Sequence, residues 1–303
     1  MGGNVGAERV ISLFFMTPMP TPTPPPPPPT PSSASATEAV PSEPVSTPAP
    51  APTVKEVAAE RFVLASPDGA FIAGPNSRWE EIKTLWHIMM DFVRGLRTFH
   101  FVGPCVTVFG SARLGEGHPW YEKTREVAGE IARLGFTVLT GGGPGIMEAA
   151  NRGAKEAGGR SVGINIILPH EQAVNRWVDA SVDMRYFFTR KTLMIKYSYA
   201  FVVMPGGLGT MDELFEALTL IQTKKLHNFP VILIGIDYWT PMMSAIRRMK
   251  EEGLISPVDL ELLTLTDSVP DAMEVLKEKA IKQFNLRKIA IPEAQPLLGE
   301  RKL

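Results

Sequence analysis

From Val106 onward the chain repeats one pattern: a short β-branched run ends in glycine and gives way to a longer segment of helical spacing. Val106-Thr-Val-Phe109 runs into Gly110-Ser111, Phe136-Thr-Val-Leu-Thr140 into Gly141-Gly-Gly143, and Phe201-Val-Val-Met204 into Pro205-Gly-Gly207. Ser161-Val-Gly-Ile-Asn-Ile166, Pro230-Val-Ile-Leu-Ile234 and a short run near Leu262–Leu265 continue the series. Such runs show little polar alternation, as expected of strands covered on both faces. Helices are predicted over Tyr121–Leu134, Ile146–Ala157 and Thr210–Thr223 and near 240–252 and 270–284, with a loop between 167 and 200. Strands separated by helices of about ten to fifteen residues are βαβ units. The expected fold is therefore α/β, a doubly wound parallel sheet of about six to seven strands with flanking helices. In such sheets ligands sit beyond the carboxyl ends of the strands, and three of those ends are glycine-rich here.

A different pattern precedes this Rossmann-like region. Trp79, Ile82, Leu85, Trp86, Met89, Phe92, Val93 and Leu96 recur at spacings of three and four, one broad face of a helix that Gly103-Pro104 closes. Further upstream, fifteen of the 28 prolines fall between Pro18 and Pro52, in company with Ser, Thr and Ala. That stretch lacks the apolar residues to repay the entropy of ordering. The predicted organisation is a disordered Pro-rich tail (1–55), a helical extension packed on the core (56–100), a Rossmann-like domain (101–290) and a flexible C-terminus (291–303).

Charge and cysteine content exclude several classes. With 31 basic against 32 acidic side chains among 303 residues, the chain lacks the basic excess of a nucleic-acid binder. Cys105 is the one cysteine, so neither an intrachain disulfide nor a cysteine-based zinc knuckle can form. No run approaches a membrane span. Val10-Ile-Ser-Leu-Phe-Phe-Met16 is short for a signal core, Glu8 and Arg9 cancel before it, and no small-residue cleavage site stands clear of the prolines. The expected location is cytoplasmic.

Two glycine loops carry the candidate chemistry. Gly141-Gly-Gly-Pro-Gly-Ile-Met-Glu148 joins a strand to a helix, where backbone N–H groups can meet an anion; a tight turn needing positive φ explains it equally well. It is a poor dinucleotide fingerprint, with Ile146 at the third glycine position and Asn165 where an acid should hold a ribose hydroxyl. No P-loop is present, and His170-Glu171 is followed by Val174 where a zinc motif would need its second histidine. The second loop is Met204-Pro-Gly-Gly-Leu-Gly-Thr-Met-Asp-Glu-Leu-Phe-Glu216. Thr210-Met-Asp-Glu213 reads as a capping box, in which Glu213 merely bonds back to the helix start. That leaves Asp212 and Glu216, a like-charged pair four apart, in need of a cation. Arg190-Lys191 offers one, although Arg190 could equally pair with Asp183 or Asp212 on the surface.

Pro205-Gly-Gly-x-Gly-Thr-x-x-Glu213 with an Arg-Lys pair upstream resembles the LOG family of cytokinin riboside 5′-monophosphate phosphoribohydrolases, whose bacterial members are often labelled lysine decarboxylases. The likeness runs from about Cys105 to Trp239 and takes in Gly110-Ser-Ala and Leu168-Pro-His-Glu171. Tyr186-Phe-Phe-Thr-Arg-Lys191 and Leu214-Phe-Glu-Ala-Leu-Thr-Leu-Ile-Gln222 are similar to its longer bacterial branch. The resemblance implies a nucleotide-binding catalytic domain that hydrolyses the N-glycosidic bond of a cytokinin riboside or purine 5′-monophosphate, AMP included, without metal or cofactor. It implies Glu213 and Arg190 as the catalytic pair. It further implies a substrate-binding set of Gly110, Ser111, Gly142, Gly143, Met147, Glu171, Lys191, Gly206, Gly207, Gly209, Thr210 and Asp212, with backbone N–H groups of Gly207, Gly209 and Thr210 expected to meet the 5′-phosphate.

Leaving of the base builds positive charge on the ribose, which a carboxylate can stabilise, while a guanidinium can assist the departing base. A lysine decarboxylase would need a pyridoxal-phosphate lysine with partners for the ring nitrogen and phosphate, and no such set stands out. The competing reading is a non-catalytic nucleotide or molybdenum-cofactor carrier on the same fold. A homo-oligomer, dimer-based, is expected, because the Trp79–Leu96 face and the stripe Leu214, Leu218, Ile221 exceed what one small sheet covers.

Overall fold

The computed structural model describes residues 67–282 apart from 73, 168–172 and 228. The predicted tail 1–55, the C-terminus 291–303 and the candidate Glu171 lie outside the described residues. The strands are β1 (Cys105–Phe109), β2 (Thr137–Thr140), β3 (Ser161–Ile166), β4 (Ala180–Met184), β5 (Ser198–Val203), β6 (Val231–Ile234) and β7 (Leu263–Thr266). They form one sheet of order β4-β3-β2-β1-β5-β6-β7, parallel throughout. The chain winds outward from β1 to β4, then returns to the other side of β1 and winds outward again. Its direction reverses between β1 and β5, which makes their carboxyl ends the topological switch point.

The helices are α1 (Pro67–Ile72), α2 (Arg78–Phe99), α3 (Pro119–Arg133), α4 (Ile146–Glu156), α5 (Phe187–Tyr197), α6 (Leu208–Gln222), α7 (Ile236–Glu251) and α8 (Val269–Val275). Strand residues alternate between two cores. Val106, Val108, Val138, Val202 and Ile232 join Val127 and Ile131 of α3, Ala150 of α4 and Ala272 of α8. Leu139, Ile164, Phe201, Val203 and Leu233 join Leu193 of α5, Leu214 and Ala217 of α6 and Trp239 of α7 on the other face. Each large side chain buried in this way contributes about 1.5–3 kcal/mol, and the polar strand residues buried with them, such as Thr107 and Thr140, make hydrogen bonds. Cys105 lies in the second core, and burial pushes its thiol up to about 12, an unreactive state.

The predicted loop between 167 and 200 contains β4 and α5. β4 is an edge strand whose Val182 and Met184 alone are buried, too short an alternation to read. α5 mixes Thr, Arg and Lys among its apolar residues and has no clean stripe. α2 begins at a capping box made by Ser77 and Glu80. It packs through Asp91, Gly95 and Phe99. A methyl group on Gly95 would run into Leu193 of α5 and Met184 of β4. Most of the apolar stripe read from the sequence faces away from this contact, with Trp79 74% exposed, Trp86 59% and Met89 45%, while its Phe92 packs against the core. The second stripe proves different, since Leu214 and Ile221 are buried against the protein's own sheet. No helix among the described residues is long and apolar enough to cross a membrane.

Candidate active site

A cleft of about 830 Å³ opens at the switch point. Its walls are the loops after β1, β2 and β5, and the backbone of Ser111 ties the three together. Ser111 N–H donates to Pro205 O at 3.0 Å, and Ser111 O accepts from Ile146 N–H at 3.0 Å. The second contact needs Gly145, which has φ +69° and whose missing side chain would overlap the backbone of Ser111 and Ala112. The loop after β2 is therefore a structural turn at this point, since the first N–H of α4 is already taken.

Behind the loop, Thr140 Oγ1 accepts from Gly142 N–H at 2.9 Å. Asn175 Nδ2 donates to Gly142 O and Gly143 O, each at 3.0 Å. Across the cleft, Tyr238 Oη donates to Gly206 O at 2.5 Å and pins the loop after β5.

Glu213 and Arg190 both line this cleft. Glu213 is 6% exposed, and its Oε2 has no hydrogen-bond partner. Burial raises its pKa to about 7, against the opposing pull of Arg190 and Lys191. The capping box expected here does not form. α6 starts at Leu208 with Gly207 as its N-cap, so Thr210 is already helical and Glu213 lies in the second turn, out of reach of the helix start. Nor is Arg190 a surface ion-pair partner. Its Nε donates to Ile164 O at 3.0 Å, and its pKa falls because it is buried, with Glu213 opposing the change. The guanidinium fills the space beside Gly141 that a side chain would need.

Of the other candidates, Gly110, Ser111, Gly143, Met147, Gly206, Gly207, Gly209 and Thr210 line the cleft. Gly142 sits behind the wall, against Gly163. Lys191 and Asp212 lie outside: Lys191 Nζ pairs with Asp212 at 3.0 Å and with Glu216 at 2.6 Å. The carboxylate cluster expected to need a cation thus finds it in Lys191, whose charge also pulls on Glu213. Thr210 N–H donates to Gly207 O at 3.0 Å. The free donors at this helix start are those of Leu208 and Gly209, which precede any intrahelical acceptor. Sequence reasoning missed Phe109, Arg113, Asn165, Phe187 and Tyr238, which also line the cleft. Among them Phe109 and Asn165, at or next to the ends of predicted strands, carried a readable positional signal.

The fold and the cleft define a doubly wound α/β protein with a buried carboxylate and a half-buried arginine at a glycine-walled switch point. A family model described as "Possible lysine decarboxylase" matches residues 147–276. The chain is 31% identical over 180 residues to a cytokinin riboside 5′-monophosphate phosphoribohydrolase of Arabidopsis thaliana, covering 57% of this chain and 80% of that one. It is 33% identical over 159 residues to the enzyme of that name from Mycobacterium tuberculosis, covering 50% of this chain and 82% of the relative. The chain belongs to the LOG family of cytokinin riboside 5′-monophosphate phosphoribohydrolases. Among solved structures, a molybdenum-cofactor carrier protein from Chlamydomonas reinhardtii is 25% identical, with a TM-score of 0.45 over 59% of this chain and 99% of that one. No lysine stands among the described residues that line the cleft, so the decarboxylase label finds no Schiff-base residue there.

Proposed function

We propose that the protein hydrolyses the N-glycosidic bond of a nucleoside 5′-monophosphate, giving the free base and ribose 5-phosphate. The observation that carries this reading is Glu213: a buried carboxylate with an unpartnered oxygen, facing the same cleft as the half-buried Arg190. Burying a lone carboxylate is costly unless function repays it.

In the proposed reaction the bond from C1′ to the base nitrogen breaks and its electron pair leaves with the base. Arg190 donates hydrogen bonds to the departing base and offsets its negative charge. Glu213 stabilises the positive charge on the ribose and accepts a proton from the water that attacks C1′; the departed base takes up a proton from solvent, and Glu213 returns its own to solvent to complete the cycle. With a pKa of about 7, it is partly ionised at neutral pH and suited to that exchange. The N–H groups of Leu208 and Gly209 at the start of α6 bind the 5′-phosphate. The substrate range includes cytokinin riboside monophosphates and AMP, by likeness to the family.

The test is to incubate the purified protein with a panel of nucleoside 5′-monophosphates and follow free base by chromatography. Equimolar base and ribose 5-phosphate are expected. Tight binding of a monophosphate with no base released would overturn the reading in favour of a carrier. The same family likeness and the exposed stripe on α2 support a dimer-based homo-oligomer, with α2 of one copy meeting a second copy.

A further inference from the structure

Arg190 is the fourth residue of α5, and α5 has no capping side chain of its own, its N-cap being Tyr186. Carboxylates from two helices far upstream serve the start of this helix. Asp91 of α2 is fully buried, and its Oδ2 accepts from Arg185 N–H at 2.8 Å. The Thr189 hydroxyl lies 3.5 Å from the same oxygen, and Arg94 Nη2 pairs with Oδ1 at 2.5 Å. Asp68 of α1 accepts from Phe187 N–H at 3.2 Å. Both acids lie before residue 147, where the family match begins. Two negative groups at a helix start also complement its dipole.

The guanidinium that this helix presents has little freedom. It is held at Nε by Ile164 O, 3.0 Å away, and its far end abuts Gly141. A small displacement of the first turn of α5 would withdraw it from the cleft. We infer that Asp91, assisted by Asp68, is a positioning residue for Arg190, so that α1 and α2 act as a clamp on the site helix. This inference rests on the reading of Arg190 under Proposed function.

The test compares Asp91→Ala, Asp91→Asn and Asp68→Ala in the full chain. Asp91→Ala should lower kcat by about 10- to 100-fold, the scale of a misplaced catalytic group, with KM changed far less. Asp91→Asn keeps an acceptor for Arg185 N–H and should recover much of the loss. Asp68→Ala, at a half-buried site, should lower kcat several-fold and decides the matter if Asp91→Ala does not fold. In an Arg190→Ala background neither alanine change should reduce the residual rate further. Losses of undiminished size in that background, or a wild-type kcat for Asp68→Ala, would overturn the inference. Amide hydrogen exchange from Arg185 to Arg190 supplies a readout independent of activity, and unchanged protection in the variants would also overturn it. Absence of activity in the wild-type protein would instead overturn the proposed function, leaving the exchange data to judge the clamp.

Discussion

Glu213 makes opposite demands on stability and on turnover. Folding raises its pKa, so the native state holds the proton more tightly than the unfolded chain does. Its contribution to stability is therefore most favourable below the unfolded value of 4.5 and is lost as pH rises to about 7. The gap corresponds to about 3 kcal/mol. Glu213→Gln should accordingly melt higher than the parent at pH 8, with the difference shrinking toward pH 5, as read by calorimetry. The same change should cut kcat by roughly 30- to 1,000-fold, about 2–4 kcal/mol of barrier. The parent should show an acid limb in kcat/KM near pH 7 that the variant lacks. A variant hydrolysing at the parental rate would reduce Glu213 to a packing residue. The sequence exposed this carboxylate but suggested the wrong local role for it. A T-x-x-E spacing means a cap only where the threonine is the N-cap, and Gly207 takes that position two residues before Gly209.

At the scale of elements, the loop after β2 and the helix α5 are built against each other. A methyl group at Gly141 would overlap the far end of the Arg190 side chain and the sulfur of Met147. The Met147 end can retreat freely, whereas the Arg190 head must give up its bond to Ile164 O to do so, in either case without moving backbone. Gly141→Ala should therefore lower kcat about 10- to 100-fold while shifting the melting temperature little, a separation that kinetics and thermal melts on one sample can check. An equal loss of stability and turnover would contradict it. The strands at the sheet centre were legible because burial on both faces leaves nearly continuous apolar runs, as in Val231–Ile234. β4 and α5 were not, because an edge strand buries few side chains and α5 is held at its start by acids from elsewhere in the chain. The glycine loops were legible as loops, yet which glycines wall the cleft depends on contacts such as Asn175 to Gly142, thirty-three residues apart.

For the whole molecule, α2 separates its packing from its apolar stripe. Asp91, Gly95 and Phe99 face the body, while Trp79, Ile82, Trp86 and Met89 face solvent in the single chain. An exposed apolar surface of this extent supports the proposed pairing between copies. Sedimentation at micromolar concentration should give a dimer or a multiple of one, and Trp86→Glu should shift it toward monomer without unfolding the sheet. A monomeric parent would remove the oligomer from the proposed function.

The bond from Asp91 to Arg185 also sets an order of events during synthesis, because its partners are 94 residues apart. At about 5–20 residues per second, α2 leaves the ribosome roughly 5–20 s before the strand and helix it docks on. The first long helix among the described residues therefore waits for its own seat, with its tryptophans uncovered. Under the dimer proposed above, a neighbouring nascent chain on the same messenger would offer the same stripe during that wait, and pairing would begin before either sheet is complete.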